Sequence, residues 1–236
     1  AGRRWVELTC RVDGALAQCL DAVFANDWYT ETGVALWDEI RPIPNTAQES
    51  LPEGVLGQVV PSGPGIRAEN NLRLFTSLIY GAKRRLSLTS PYFVPDESLL
   101  YAVTTAAQRG VDVELFVGEE GDQFMVWHAQ RSYYDALLEA GVKIYLYQAP
   151  LVLHSKHFSV DDDVVVIGSS NMDMRSFALN YEVSMVLTGP EVVRVVRQVE
   201  DSYRATARLL TPTEWQARSR LSRYKDNVMR LTAALQ

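Results

Sequence analysis

From Val55 to Tyr147 the chain alternates short apolar strand-like runs with helix-length amphipathic segments, and at His154 that alternation stops. Val55 to Val60 reads as a strand closed by Pro61-Ser62-Gly63-Pro64-Gly65, and residues 68–82 follow as a helix. Leu86 to Thr89 is a buried strand running into Ser90-Pro91-Tyr92-Phe93-Val94-Pro95, and Asp96 caps a helix that ends at Gly110. Val111 to Val117 is the next strand, 122–140 a helix closed by Gly141, and Val142 to Tyr147 a further strand. This rhythm predicts an α/β layered fold with a largely parallel sheet.

The pattern then becomes that of a hairpin. His154 to Val160 and Val164 to Ile167 are apolar-rich runs joined by Asp161-Asp162-Asp163, acidic residues suited to a turn. A strand over Tyr181 to Leu187 follows, and Pro190 opens a helix to about Leu209. A last helix carries an apolar stripe at Leu221, Tyr224, Val228, Leu231 and Leu235. Before all this lie a strand-like stretch from Trp5 to Asp13 and an amphipathic helix with Leu16, Leu20, Val23, Phe24 and Trp28 in phase. Residues 38–54 hold three prolines and few apolar anchors, which marks a boundary. No short-period repeat is visible.

Composition narrows the class. The 236 residues suffice for one large domain, or for one domain and a piece of another. Hydrophobic residues make up 47%, enough for a packed core. The net charge of −6 argues against nonspecific nucleic-acid binding, which is driven by neutralising phosphates. Cys10 and Cys19 are too few for a disulfide scaffold or zinc site and read as reduced thiols in or near a core. No apolar run reaches the ~18 residues that span a bilayer. The opening Ala1-Gly2-Arg3-Arg4 has no initiator Met, as in a fragment of a longer chain, and membrane segments upstream stay open.

The hairpin carries the chemistry. In an extended chain His154 and Lys156 point the same way, so an imidazole and an ammonium form a site for an anion. The imidazole can attack or move a proton while the lysine holds negative charge. Gly168-Ser169-Ser170-Asn171 ends the next strand, where the glycine admits a ligand close to the backbone and Ser169 and Asn171 add neutral donors. Glu182, on the returning strand, is suited to hold the ring nitrogen of His154 that does not react. His-x-Lys alone is noise. His-x-Lys-x4-Asp followed by Gly-Ser-x-Asn fixes six positions, a coincidence on the order of once per million at background usage.

His154-x-Lys156-x4-Asp161 with Gly168-Ser169-Ser170-Asn171 resembles the HKD motif of the phospholipase D superfamily and its companion. The segments Ser90-Pro91-Tyr92-Phe93-Val94-Pro95-Asp96, Arg109-Gly110-Val111-Asp112-Val113, Arg131-Ser132-Tyr133-Tyr134, Gly141-Val142-Lys143-Ile144-Tyr145 and Asn171-Met172-Asp173-Met174-Arg175-Ser176-Phe177 resemble bacterial cardiolipin synthases. Trp5 to Gly33 resembles the segment after the first HKD motif of that family. The resemblance implies a phospholipase D-like layered sandwich, with a mixed, mostly parallel sheet flanked by helices. Residues 1–50 would be the tail of a first half and 51–236 a second HKD domain.

It also implies phosphatidyl transfer without metal or other cofactor, through a phosphohistidine, from one phosphatidylglycerol to another. His154 would be one of two histidines, the acid/base. Lys156, Ser169 and Asn171 would bind phosphate oxygens and Glu182 would orient His154. Asp161 belongs to the motif either as a catalytic or as a structural residue. Tyr92 and Phe93, at the C-terminal end of a strand, either wall the lipid pocket or pack in the core. The implied partners are anionic phospholipid, a membrane surface, and an N-terminal HKD half or a second copy, with no nucleic acid. The implied location is the bacterial inner membrane, with the catalytic domain peripheral and on the cytoplasmic side.

The chain holds no second His-x-Lys, so half a site is present. His128 reads as packed or at the surface, and His157 as structural, on the face opposite Lys156. Two other readings remain open: a phosphodiesterase or nuclease completed by dimerisation, and a non-catalytic half-domain. The last helix carries Arg218, Arg220, Arg223, Lys225 and Arg230 beside its apolar stripe. Most amphipathic helices cover a core, so the stripe is expected to dock on the domain, the other reading being an anionic membrane.

Overall fold

The computed structural model describes residues 4–40, 55–66 and 69–233. The described chain opens with β1 (Arg4–Val6), α1 (Ala15–Thr32), β2 (Leu56–Ser62) and α2 (Asn70–Gly81). β3 (Arg85–Thr89) and β4 (Phe93–Val94) lead to α3 (Glu97–Gln108), β5 (Asp112–Gly118), α4 (Phe124–Arg131), α5 (Tyr134–Ala140) and β6 (Lys143–Tyr147). Next come β7 (Leu151–Leu153), β8 (His157–Val160), β9 (Val164–Gly168), β10 (Met172–Asp173), α6 (Met174–Ala178) and β11 (Glu182–Thr188). α7 (Pro190–Thr206), β12 (Ala207–Leu209), α8 (Pro212–Gln216) and α9 (Arg220–Arg230) complete it.

Among the described residues, eight strands form one mixed sheet in the order β12-β6-β5-β3-β8-β9-β11-β2. β3, β5 and β6 are parallel neighbours, joined by helical crossovers. β8, β9, β11 and β2 extend the sheet by antiparallel pairings, and β12 does so at the other edge. Five strands (β2, β3, β5, β6 and β9) therefore point one way and three against them.

β5 shows why the centre is fixed. Val113, Leu115 and Val117 face α2, α3 and α5, packed with Phe75, Ile79, Leu99 and Leu137. Phe116 faces the other way, onto Tyr147, Leu153 and Tyr203 of α7. A strand buried on both faces tolerates few charges, yet Glu114 is buried there. Arg204 of α7 at 2.7 Å and Arg85 of β3 at 3.0 Å neutralise it. Burial alone would raise its carboxyl, but the hydrogen bonds from Arg204 and Arg85 outweigh it and hold Glu114 below the usual range.

Asp161 ties the hairpin to this centre. It turns the chain at φ 49°, and its carboxylate accepts from the backbone N–H of Lys83 (3.0 Å), Arg84 (2.7 Å) and Arg85 (2.9 Å). Arg197 of α7 donates to its carbonyl at 2.8 Å. Burial opposes ionisation, but the three backbone donors prevail and keep Asp161 below the usual carboxylate range. These contacts make the residue a clamp on the hairpin, in line with the structural one of its two readings. It lies at the far end of β8 from His154, on the order of 20 Å away along an extended chain.

Several expectations change. The strand expected from Trp5 to Asp13 is only β1. α1 forms as expected but buries only Ala25, leaving Phe24, Trp28 and Tyr29 exposed, so its apolar face has no core among the described residues. Cys10 and Cys19 are exposed free thiols, outside any core. The helix expected over 122–140 breaks at Ser132 and Tyr133 into α4 and α5. The helix expected to run to Leu209 ends at Thr206, where β12 pairs with β6. The low-apolar stretch 38–54 lies largely outside the described residues, as does Leu235.

His157 is buried in β8, and neither ring nitrogen has a protein partner among the described residues. Burial pushes its imidazole down to about 4 from 6.5, which favours the neutral form in the fold. Its contribution is therefore intact above pH 6.5 and is lost as pH falls toward 4. Urea unfolding should show a loss on the order of 3 kcal/mol across that window, absent in His157→Gln. An unchanged slope in the variant would remove His157 as the cause. Asp161→Ala should lose about 2–4 kcal/mol at pH 7 and Asp161→Asn less, read by the same unfolding curves.

Candidate active site

The chain crosses from β7 to β8 through His154, Ser155 and Lys156, and neighbouring elements hold all three. The His154 backbone N–H donates to the Val6 carbonyl of β1 at 2.9 Å, which continues the parallel β1–β7 pairing. The Ser155 hydroxyl lies 3.0 Å from the Tyr203 hydroxyl of α7. Lys156 donates to the His154 carbonyl at 2.7 Å, with its Nζ 3.2 and 3.3 Å from the two ring nitrogens. The sequence expectation that His154 and Lys156 share one side is met, although β8 itself begins at His157.

The carboxylate on His154 is Glu7, whose Oε1 lies 2.6 Å from Nδ1. A carboxylate there keeps the proton on Nδ1 and leaves Nε2 as the basic nitrogen. Trp5 packs edge-on to the ring at 4.4 Å. Glu182, expected in that role, makes no hydrogen bond to His154. Its Oε1 accepts from Asn180 Nδ2 at 3.3 Å, and the position beside Nδ1 is already filled by Glu7. The two acids occupy matching places in the chain. Each stands seven residues before a positive-φ glycine, Gly14 or Gly189, that opens a long helix. The sequence reading missed Glu7, and that matching spacing is the signal that could have found it.

Burial lowers the Lys156 ammonium, against the pull of Glu7, Glu182, Asp173 and Asp122. The site thus has a cation surrounded by acids and short of full solvation, prepared for an anion that displaces neither. Asp173 is itself raised by burial, although the Ser176 N–H donates to it at 2.7 Å as the cap of α6.

A cavity of about 440 Å³ opens beside this centre, lined by Tyr92, Gln123, Asn171, Asp173, Arg175 and Asn180 among others. Tyr92 stands with its ring 6.5 Å from that of His154 and donates its hydroxyl to Asp122 at 2.8 Å. Asn171 reaches the cavity with its Oδ1 buried and unpartnered among the described residues. Ser169 turns toward β11, where its hydroxyl accepts from the Val183 N–H at 3.0 Å. Phe93 is fully buried in the main core and cannot wall the cavity, which corrects its reading as substrate-binding. Its backbone N–H donates to Gln130 at 2.9 Å, and that bond helps set Tyr92 in place. His128 is packed, with Nδ1 2.6 Å from the buried Asp226. Gln123, Asp173, Arg175 and Asn180 on the cavity wall, and Asp122 on the Tyr92 hydroxyl, are residues that the HKD motif and its companion did not single out.

The profile of the family described as "Cardiolipin synthase, PLD-like domain" matches residues 75–203. That span holds His154, Lys156, Asn171 and Glu182 but not Glu7. The chain is 40% identical over 218 residues to proteins named cardiolipin synthase A from Yersinia pseudotuberculosis and Yersinia pestis, covering 91% of this chain and 44% of theirs. It therefore spans about half the length of the curated relatives it matches. Among solved structures, phosphatidylserine synthase from Haemophilus influenzae Rd KW20 superposes with TM-score 0.61 at 17% identity, over 79% of this chain and 49% of that one. Nuc, a phospholipase D family member from Salmonella typhimurium, superposes with TM-score 0.57 at 21% identity, over 67% of this chain and 99% of that one. At those identities the structures speak for the fold, while the profile covers more than half of the 236 residues. The chain belongs to the cardiolipin synthase family of phospholipase D-like proteins.

Proposed function

We propose that this chain is the second half of a phosphatidyltransferase that makes cardiolipin from two phosphatidylglycerol molecules. The observation that carries this reading is one catalytic-type histidine beside two acids from matching places in the chain, Glu7 bonded to His154 and Glu182 bonded to no histidine of this chain. A site with two histidines uses one acid for each. The second histidine then comes from an N-terminal HKD half, to which residues 1–50 belong as its tail, with 51–236 as the second domain. A second copy of this chain is the other possible source.

The chemistry balances in two displacements. The partner histidine attacks phosphorus and forms a phosphohistidine. The P–O bond to glycerol breaks, and His154 supplies the proton that glycerol takes away. His154 then removes the proton of a hydroxyl on a second phosphatidylglycerol. That oxygen attacks phosphorus and frees the first histidine. Lys156 and the amide of Asn171 hold non-bridging oxygens, Ser169 supports β11 behind them, and Tyr92 walls the head group. No metal or cofactor enters these steps. Among the described residues no helix is long and apolar enough to cross a membrane. On the proposed reading the catalytic domain is a peripheral part of a bacterial inner-membrane enzyme, on the cytoplasmic side.

Phosphatidylglycerol vesicles incubated with this chain plus its N-terminal half should yield cardiolipin and glycerol by mass spectrometry. His154→Asn should abolish both. Phosphatidic acid alone would make the protein a hydrolase instead. Glu7→Gln and Glu182→Gln should each lower kcat by roughly 10²–10⁴-fold, with the pH–rate profile displaced, because each acid positions one histidine. A profile unmoved in either variant would assign that acid a purely structural part.

A further inference from the structure

α9 does not bury the stripe expected of it. Its inward face is polar: Asp226 lies between His128 (2.6 Å), Arg131 (3.4 Å) and Arg218 (2.5 Å), and Ser222 is 3.5 Å from Arg131. Met229 and Ala233 add the apolar part of that contact. Leu221, Tyr224 and Leu231 are turned outward, at 63%, 67% and 84% exposure. At 100° per residue these three and Val228 fall within roughly 80° of arc, about opposite the Asp226 face.

The charges follow the same division. Arg220, Arg223, Lys225 and Arg230 are all exposed, and Arg220 and Lys225 flank the apolar arc on its two sides. The one acid of the helix, Asp226, is buried. A helix that is wholly cationic toward solvent stands out on a chain of net charge −6.

The position matters as well. α4 runs antiparallel to α9, so its exposed Phe124 and Met125 lie near the C-terminal end of α9. Met125 and Thr232 both line the cavity that also holds Tyr92 and Asn171.

We propose that the outer face of α9, with Phe124 and Met125, is a docking surface for an anionic lipid bilayer. Leu221, Tyr224 and Leu231 enter the acyl boundary while the flanking cations meet phosphate headgroups, the arrangement of a helix lying in the interface. The surface sets the cavity mouth against the membrane. It deepens the phosphatidyl-transfer reading, on which it rests for the expectation that substrate arrives in a bilayer.

The test is flotation of this chain with phosphatidylglycerol/phosphatidylcholine vesicles and with phosphatidylcholine alone. The wild type should float with the anionic vesicles, less so at high salt. Leu221→Glu/Tyr224→Glu and Arg220→Glu/Lys225→Glu should each reduce binding about tenfold or more, with thermal melts unchanged. A wild type that stays unbound, or variants that float like it, would overturn the proposal. Self-association lost in the same variants, without lipid binding, would give the face to a second copy and overturn it too. Vesicle binding without any lipid product from the two-half protein would sink the transferase reading and leave the surface standing.

Discussion

The geometry of the site depends on the register between β8 and β3, and Asp161 sets that register. Its carboxylate takes three consecutive backbone N–H groups at the entrance to β3, which pairs Val160 with Leu86 and His157 with Thr89. Side chains alternate along a strand, so a slip of one residue would exchange the face of every one of them. Phe158 would leave the core, and the adjoining His154 and Lys156 would be carried together to the other face. A residue far from the chemistry therefore controls it through the period of the chain. Arg197 and Tyr203 reach the same hairpin from α7, at its turn and at Ser155. The segment is thus fixed at both ends by one helix.

The site's electrostatics look paradoxical for an anion-binding centre. Lys156 is surrounded by Glu7, Glu182, Asp173 and Asp122, and Tyr92 is bonded to one of them. Acids so placed keep a half-desolvated ammonium charged while the site is empty. The cost of that arrangement falls on ground-state affinity for an anion.

Much of this was legible in the sequence. The alternating runs of 55–147 specify β3, β5, β6 and their crossovers because each carries its own period and its own breakers. The six fixed positions around His154 point to the candidate site and, in Asp161, to the clamp behind it. What stayed hidden depended on distance in the chain. Glu7 lies far from His154 in sequence, and only pairing of β1 with β7 brings them together. Phe93 and Tyr92 are neighbours with similar side chains, and only the pairing of β4 with β10 sends one inward and the other to the cavity. The break between α4 and α5 carries no proline or glycine, and the helices separate because α4 packs on α9 while α5 packs on α3 and α8.

The contact between α9 and α4 has a consequence for the energy landscape. Rolling α9 by half a turn would bury Leu221, Tyr224 and Val228, a gain of several kcal/mol in transfer free energy. It would also strand Asp226 in water and leave Arg131, Arg218 and His128 facing apolar side chains, at a comparable loss for an uncompensated buried cluster. Directional bonds thus lock the azimuth of a helix that hydrophobicity alone would turn over. The fold keeps a frustrated element at its surface, and such an element is poised to relax only by acquiring a second, oilier environment.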